Sequence, residues 1–518
     1  MPALFSSRER RQAEDLSGLL FCNPFTPERR NLERNILGTR YRKPSPPAPG
    51  DSPRRVFSPN LAELGLAAKL SERARPKALS LRKKGELQAK DFELYRDLAF
   101  LTLFDEARDA FVTIIEKAHE REGERSRHSD LFQPFRKRFE WFFPEDEGLA
   151  PPGFAPAHLF AVFFQARRAF FHVFDAIAGD SPALEALRAR TWESIFTHDM
   201  PRYQRSLYGR MGDITTLISG PSGTGKELVA RAIGLSRFIP YEEATGKFSA
   251  DFLSSFHPIN LSALSETLLE SELFGHAKGA FTGALQDRKG YFETCGPHGC
   301  VFLDEITESK PDAQVKLLRV LQTRRFQRLG DVKPIRFEGK VMAATNRDLA
   351  EEMQAGRFRE DFYYRLCANR IRTPALAEIL RDAPGELERL VGFIAGGVAG
   401  PDEALALTEE TCEWVNRYLG SDYPWPGNFR ELQQCVRNVL IHREYHPDST
   451  PPASPLDPAD LAKKLGEGAL TLEELQRRYV TLVYAKRGKY EETARLLGID
   501  RRTVKKYLNE SLLAEKRC

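Results

Sequence analysis

A chain of 518 residues, 41% hydrophobic and 29% charged, has room for three or four folded units and the balance of a globular protein with substantial cores. Its seven cysteines, at 22, 295, 300, 367, 412, 435 and 518, form no CxxC pair and no metal-finger spacing, so they read as free thiols. The net charge of +4 hides a division, with +10 over residues 1–84, +5 over 470–518 and about −11 between, so an end of the chain is what would meet a polyanion.

The most apolar stretch, Phe160 to Ile177, is broken by Gln165, Arg167, Arg168, His172 and Asp175, which leaves no run long enough to span a membrane. The first residues carry charges where a secretory signal needs an apolar core, and a cytoplasmic location is expected.

In chain order, residues 1–84 read as a basic, partly disordered tail, because RKPSPPAPGDSPRR (42–55) is rich in proline and charge. Residues 85–193 read as an all-α domain, with Phe100, Phe104, Ala107, Phe111 and Ile114 on one stripe and Phe160, Phe163, Phe164, Phe171 and Phe174 on another. Core packing explains such stripes, and His158, His172 and His198 show no metal spacing. From 194 to 375 short apolar runs alternate with helical patterns: ITTLISG (214–220), CVFLDEI (300–306) and GKVMAATN (339–346) predict strands of a parallel α/β sheet with functional loops at their C-terminal ends. Residues 376–447 turn helical, STPPASPLDP marks a linker within 448–469, and 470–518 form a small basic helical unit.

Gly220-Pro221-Ser222-Gly223-Thr224-Gly225-Lys226 fits GxxxxGK between a predicted strand and a predicted helix. Glycines let backbone N–H groups turn towards phosphate oxygens, the helix N-terminus adds its dipole, and Lys226 supplies a point charge. Glu227 stands where a general phosphate loop has Ser or Thr for Mg2+, so the metal must lean on other ligands. Asp304 and Glu305 end the strand CVFLDEI, Asp304 placed to hold Mg2+ directly or through water and Glu305 to polarise an attacking water. Thr345 and Asn346 close the next strand and could sense a γ-phosphate, while Arg359, Arg365 and Arg430 are either surface ion-pair residues or arginine fingers. A finger is worth roughly 10³ to 10⁵ in rate, about 4 to 7 kcal/mol of barrier.

Seven strings in one order, GPSGTGKELVARAI, INLSALSETLLESELFGHAKGAFTGA, VFLDEI, KLLRVLQTRRFQRLG, AATNRDL, GRFREDFYYRL and WPGNFREL, resemble the AAA+ domain of sigma-54-dependent transcriptional activators over about residues 194–445. The resemblance implies an α/β P-loop ATPase core over 194–375, a helical lid over 376–447, and ATP and Mg2+ as cofactors. Gly279-Ala280-Phe281-Thr282-Gly283-Ala284 matches the loop by which these activators engage sigma-54. By the same resemblance Lys226 is the Walker A lysine, with Glu227 the family form, and Asp304 and Glu305 are Walker B. Asn260 restrains the catalytic glutamate, Arg359 and Arg365 are fingers offered to a neighbouring subunit, Asn346 is sensor I and Arg430 sensor II. Fingers acting between subunits imply a ring, a hexamer in this family. Departures are Pro221 for the usual Glu, the long connection 236–257, and the string at 375–382.

EETARLLGIDRRTVKKYLN (491–509) reads as helix, tight turn, helix, with Ala494 small at the crossing, Gly498 at the turn, and Leu497, Ile499, Val504 and Leu508 inside. Arg501, Arg502, Thr503, Lys505, Lys506 and Asn509 are the candidate DNA contacts, and the unit resembles the Fis-type helix-turn-helix of the same activators. The expected function is ATP-driven remodelling of sigma-54 RNA polymerase holoenzyme from a closed to an open promoter complex, from upstream enhancer DNA. The alternatives are an AAA+ remodelling ATPase of another kind, or a DNA-binding repressor with a nucleotide-sensing site.

Overall fold

The computed structural model describes residues 3–41, 65–120, 127–447, 461, 464–465 and 470–508. Contacts divide the chain into two compact units, Met1–Ile441 and His442–Cys518.

The first unit opens with helices, and this corrects the tail reading of residues 1–84. Helix α1 (Ser7–Phe21) is closed by a capping box in which Ser6 and Glu9 satisfy each other's backbone N–H. The buried carboxylate of Asp91 accepts the Leu4 N–H at 2.9 Å and pairs with Arg10, which ties the segment down. Leu4, Phe5, Ala13, Leu16 and Leu19 are buried in the same core as the phenylalanines. Helices α2 (Pro27–Leu37) and α3 (Leu66–Lys83) follow, the latter burying Ala67, Leu70, Ala74, Ala78 and Leu81 at helical spacing. The proline-rich string at 42–55 that prompted the tail reading lies outside the described residues.

Helices α4 (Ala89–Glu120), α5 (Ser129–Phe142), α6 (Pro156–Ala176) and α7 (Pro182–Phe196) complete this part. Phe100, Phe111, Phe160, Phe163 and Phe164 are at most 2% exposed, so both stripes face the core. Their rings meet edge-on or tilted, as Phe100 with Phe163 and Phe111 with Phe160, the arrangement aromatic quadrupoles favour. Each such ring contributes about 1.5–3 kcal/mol by its burial.

The α/β body is a five-stranded parallel sheet made of β1 (Thr216–Ser219), β4 (Phe256–Asn260), β5 (Cys300–Asp304), β8 (Lys340–Thr345) and β9 (Asn369–Arg372), in the order β4-β5-β8-β1-β9. The three strands expected from apolar runs are present. β4 and β9 carry too many polar residues to stand out as apolar runs. The remaining strands form two-stranded antiparallel ribbons, β2 (Tyr241–Glu242) with β3 (Lys247–Phe248) and β6 (Arg325–Phe326) with β7 (Ile335–Arg336).

The long connection at 236–257 therefore holds a hairpin, and its Ile239, Tyr241, Phe248 and Phe252 are buried in the phenylalanine core. Helix α6 also grips the far end of the helix that follows the phosphate loop, α8 (Lys226–Gly234), with the Gln165 side chain donating to the Ser236 carbonyl at 2.9 Å. Helices α9 (Glu266–Phe274) and α10 (Pro311–Thr323) flank the sheet, and α11 (Leu376–Asp382), α12 (Glu386–Ala399), α13 (Ala404–Tyr418) and α14 (Asn428–His442) form the helical part that follows it.

The second unit holds α15 (Leu472–Arg487), α16 (Tyr490–Leu497) and α17 (Arg501–Tyr507). No helix of the described residues is long and apolar enough to cross a membrane. No metal-holding group of His, Cys, Asp or Glu occurs among the described residues, and Cys22, Cys295, Cys300, Cys367, Cys412 and Cys435 are free thiols.

Candidate functional site

The sheet order sets the site. β8 lies between β1 and β5, so the loop after β1 and the carboxylates at the end of β5 open at the same edge, on either side of the β8 terminus. Gly220, Gly223 and Gly225 have φ of 154°, 76° and 83°, and a Cβ at Gly220 would fall 2.1 Å from the Thr373 hydroxyl. The loop is thus a tightly enclosed cradle that a side chain at Gly220 would break. Lys226 is 8% exposed, and its ammonium donates to the carbonyls of Gly220 at 2.9 Å and Pro221 at 3.0 Å. Burial pushes its pKa down, opposed by the Glu305 and Asp304 carboxylates and assisted by Arg430.

Asp304 accepts the Glu305 N–H at 3.0 Å. Glu305 itself takes φ 53° and ψ 53°, a left-handed conformation that a glutamate adopts only when its surroundings impose it, as functional sites do. Burial, then Asp304, pushes the Glu305 carboxyl pKa up, against Lys226 and the Asn346 backbone N–H that donates to it. Asn346, read as sensor I, therefore touches the candidate base directly. A cavity of about 440 Å³ is lined by Ser222 to Val229, Asp304, Glu305 and, from α14, Phe429, Arg430 and Gln433. Helices α6 and α7 and the turn between them contribute Ile177, Leu184 and Leu187 to the same walls, residues that sequence reasoning did not connect with the site.

Asn428 was also missed. Its side chain donates to the Ser222 carbonyl at 2.9 Å and accepts the Leu376 N–H at 2.8 Å, while Phe429 N–H donates to the Gly223 carbonyl at 3.1 Å. The signal available in the sequence was the PGN turn, since asparagine tolerates the left-handed conformation that Asn428 holds at φ 51°.

Of the expected residues, Gly220, Pro221 and Asn346 border the cleft without lining it, the first two through the Lys226 ammonium and the third through Glu305, whereas Arg359, Arg365 and Asn260 are turned to other partners. Arg359 pairs with Asp361 at 2.8 Å, and the Arg365 guanidinium donates to the Leu321 carbonyl at 3.1 Å. Asn260 stands opposite Asp304 in the β4–β5 register, but its side-chain oxygen accepts from the Ser262 N–H at 2.9 Å and hydroxyl at 2.7 Å.

The loop Gly279 to Ala284 is a turn held by Gly279 N–H to the Ala284 carbonyl at 2.9 Å, with φ 83° at Gly279 and 101° at Gly283. Phe281 rests edge-on against His276 with ring centroids 5.0 Å apart, and Thr282 is exposed. Leu285 and Val332, 79% and 86% exposed, add apolar surface that the motif did not predict.

In the second unit Gly498 has φ 63° and ends α16, and the Asp500 carboxylate caps α17 by accepting the Arg502 N–H at 2.6 Å. Val504 is fully buried while Arg501, Arg502, Lys505 and Lys506 are exposed on the second helix and Thr503 is half-buried. The residue that lies deepest on α16 is Thr493, its hydroxyl donating to the Lys489 carbonyl at 2.9 Å, with Ala494, Leu497 and Ile499 half-buried beside it. Asn509 lies outside the described residues.

Residues 203–372 match the family described as Sigma-54 interaction domain. Residues 464–514 match Sigma-70, region 4, where the sequence motif resembles the Fis type. The Nif-specific regulatory protein of Azotobacter vinelandii is 40% identical over 304 residues, 56% of this chain and 53% of that protein. The hydrogenase transcriptional regulatory protein HoxA of Bradyrhizobium diazoefficiens is 43% identical over 240 residues, 46% of this chain and 45% of that protein. The transcriptional regulatory protein ZraR of Escherichia coli K12 is 40% identical over 298 residues, 56% of this chain and 62% of that protein. The chain spans about half the length of the first of these relatives.

Proposed function

We propose that this chain, whose residues 203–372 match the Sigma-54 interaction domain, hydrolyses ATP to open promoter complexes of sigma-54 RNA polymerase, as a sigma-54-dependent activator. The observation that carries the reading is the meeting of Lys226, Asp304, Glu305, the Asn346 N–H and Arg430 at one cleft. The glycine cradle with Lys226 suits the phosphates of ATP, and the Asp304 carboxylate suits a hard cation such as Mg2+, held directly or through water. Glu305 would polarise the attacking water and Asn346 would hold Glu305 in place through the hydrogen bond already present. Arg430 would bring the helical lid over residues 376–447 onto the nucleotide.

Arg359 and Arg365 are exposed and lie outside their own cleft, which suits fingers that complete a neighbour's site and so a ring, a hexamer by family resemblance. Asn260 would exchange Ser262 for Glu305 as the restraint changes. The loop from Gly279 to Ala284, with Phe281 and Thr282 at its tip, would engage sigma-54. Arg501, Arg502, Thr503, Lys505, Lys506 and Asn509 would bind upstream enhancer DNA in the cytoplasm, with 448–469 as linker and the helices α1 to α7, of which α1 to α6 share one core, as regulatory domain.

The test is ATP-dependent open-complex formation by the full chain on a sigma-54 promoter. Thr282→Ala should keep turnover within about twofold and lose open complexes, and Glu305→Gln should lose both, by the 10²–10⁴-fold that positioned proton transfer contributes. ATP turnover by the unsubstituted chain without open complexes on its own upstream site would overturn the assignment to sigma-54.

A further inference from the structure

A second cavity, of about 320 Å³, lies where α4, α5 and α6 meet the β2–β3 hairpin and the segment after it, and it shares no lining residue with the nucleotide cleft. Its walls include the rings of Phe164, Phe248 and Phe252, which pack on one another, Phe164 stacked on Phe248 and edge-on to Phe252, as an apolar wall. Arg168 lies among them. It is 1% exposed, and among the described residues its Nε and Nη1 have no hydrogen-bond partner. Only Nη2 is engaged, donating to the Arg237 carbonyl. The guanidinium sits against the Phe164 and Phe252 rings, 5.0 and 4.9 Å from their centroids.

Ring faces attract a cation without satisfying its N–H donors. A guanidinium removed from water with donors unmatched is strongly unfavourable, and burial accordingly pushes its pKa down to about 9. Asp251 lines the same cavity and is close enough to attract Arg168, yet its Oδ2 also lacks a hydrogen-bond partner, and no ion pair joins the two among the described residues. Lys117 and Arg127 add positive charge to the lining and Asp130 negative charge, which with Arg168 and Asp251 leaves the walls net positive. A void of this size lies at the lower end of the range that holds small molecules.

We propose that this cavity binds a small monocarboxylate with an apolar body, its carboxylate accepting from an unmatched N–H of Arg168 and its body lying against the wall of Phe164, Phe248 and Phe252. The site joins the N-terminal helices to the hairpin inserted after the phosphate-loop helix, and the same Arg168 holds the carbonyl of Arg237 three residues beyond α8. The binding claim is independent of the ATPase reading.

Phenylacetate, hexanoate and the uncharged 2-phenylethanol, titrated into the full chain by calorimetry and followed by thermal melting, test it. At least one carboxylate should bind saturably with a Kd of about 1 mM or tighter and raise the melting temperature, while 2-phenylethanol binds at least about tenfold more weakly. Arg168→Met should weaken carboxylate binding at least about tenfold. Ala110→Trp, which fills the cavity from a half-exposed position, should abolish it and keeps the test open if Arg168→Met does not fold. Failure of both carboxylates to bind, equal binding of the alcohol, or binding unchanged in the folded variants would overturn the proposal.

Discussion

The side-chain amide of Asn428 donates to the carbonyl of Ser222 at 2.9 Å, across 206 positions of sequence. With its own oxygen accepting from Leu376 at 2.8 Å, one buried residue joins the phosphate loop, the start of α11 and the helix that carries Arg430. Asn428→Ala leaves those backbone groups unpaired and places a Cβ-bearing residue without local hydrogen bonding at φ 51°. The expected cost is about 1–3 kcal/mol of unfolding free energy, read from denaturant midpoints, together with weaker nucleotide binding. Asn428→Gly should recover only the backbone share. Unchanged midpoint and affinity in both variants would remove Asn428 from this role.

On the proposed ATPase function, in which Glu305 is the base, its raised pKa should set the acid limb of turnover. A carboxyl whose protonated form is favoured by burial and by Asp304 loses its function as a base at a higher pH than an ordinary glutamate, whose pKa is about 4.3. Activity should therefore fall, as pH is lowered, before an unperturbed glutamate would protonate. Asp304→Asn removes the second cause of the shift and should move the limb of any residual turnover to lower pH, which a pH–rate profile resolves.

Lys340 gives a stability prediction. It is 2% exposed, donates to the Ile214 carbonyl at 2.6 Å, and burial near Arg237 and Arg324 pushes its pKa down to about 7, with Cys300 opposing. Above that value the folded chain releases a proton that the unfolded chain keeps until about pH 10.4. The unfolded state then binds more protons, so this residue makes stability rise with pH, by up to about 1.4 kcal/mol per unit. Buried Cys300, with its pKa raised to about 12, opposes this once unfolded thiols ionise near pH 8.5. The comparison thus belongs between pH 7 and about 8.5, where Lys340→Met should flatten the slope. Parallel slopes for the two proteins would show that Lys340 stays charged in the fold.

The exposed cations on α17 should govern DNA affinity by neutralising phosphates. Replacing Lys505 and Lys506 by alanine should lower the slope of log K against log salt by about 0.9 for each phosphate that a lysine neutralises. Asp500→Ala, which removes the cap of α17, should instead reduce affinity with little change in slope. Loss of affinity without a change in slope for the lysine pair would place these side chains away from the backbone of the duplex.

Residues that act through contiguous strings were legible in the sequence: the glycine loop with Lys226, the Asp304–Glu305 pair after an apolar strand, the Phe281–Thr282 loop, and the turn at Gly498. Local spacing alone dictates their geometry, because a phosphate cradle or a tight turn is built from neighbouring backbone groups. Asn346 was placed at the site by its position after β8, and the hydrogen bond to Glu305 follows from strand order.

Tertiary structure decided what depends on distant partners. Leu16 and Leu19 look like residues of a charged tail until Asp91 anchors Leu4 and Arg10, and the apolar stripe then has a core to enter. Asn428 is an ordinary turn residue until Ser222 and Leu376 arrive from elsewhere in the chain. Arg168 reads as an interruption in an apolar helix, and only the approach of Arg237 and Phe252, from either side of the hairpin, encloses it. Burial is a property of the whole packed chain, so the desolvation of Lys340 and the unmatched donors of Arg168 have no local signature.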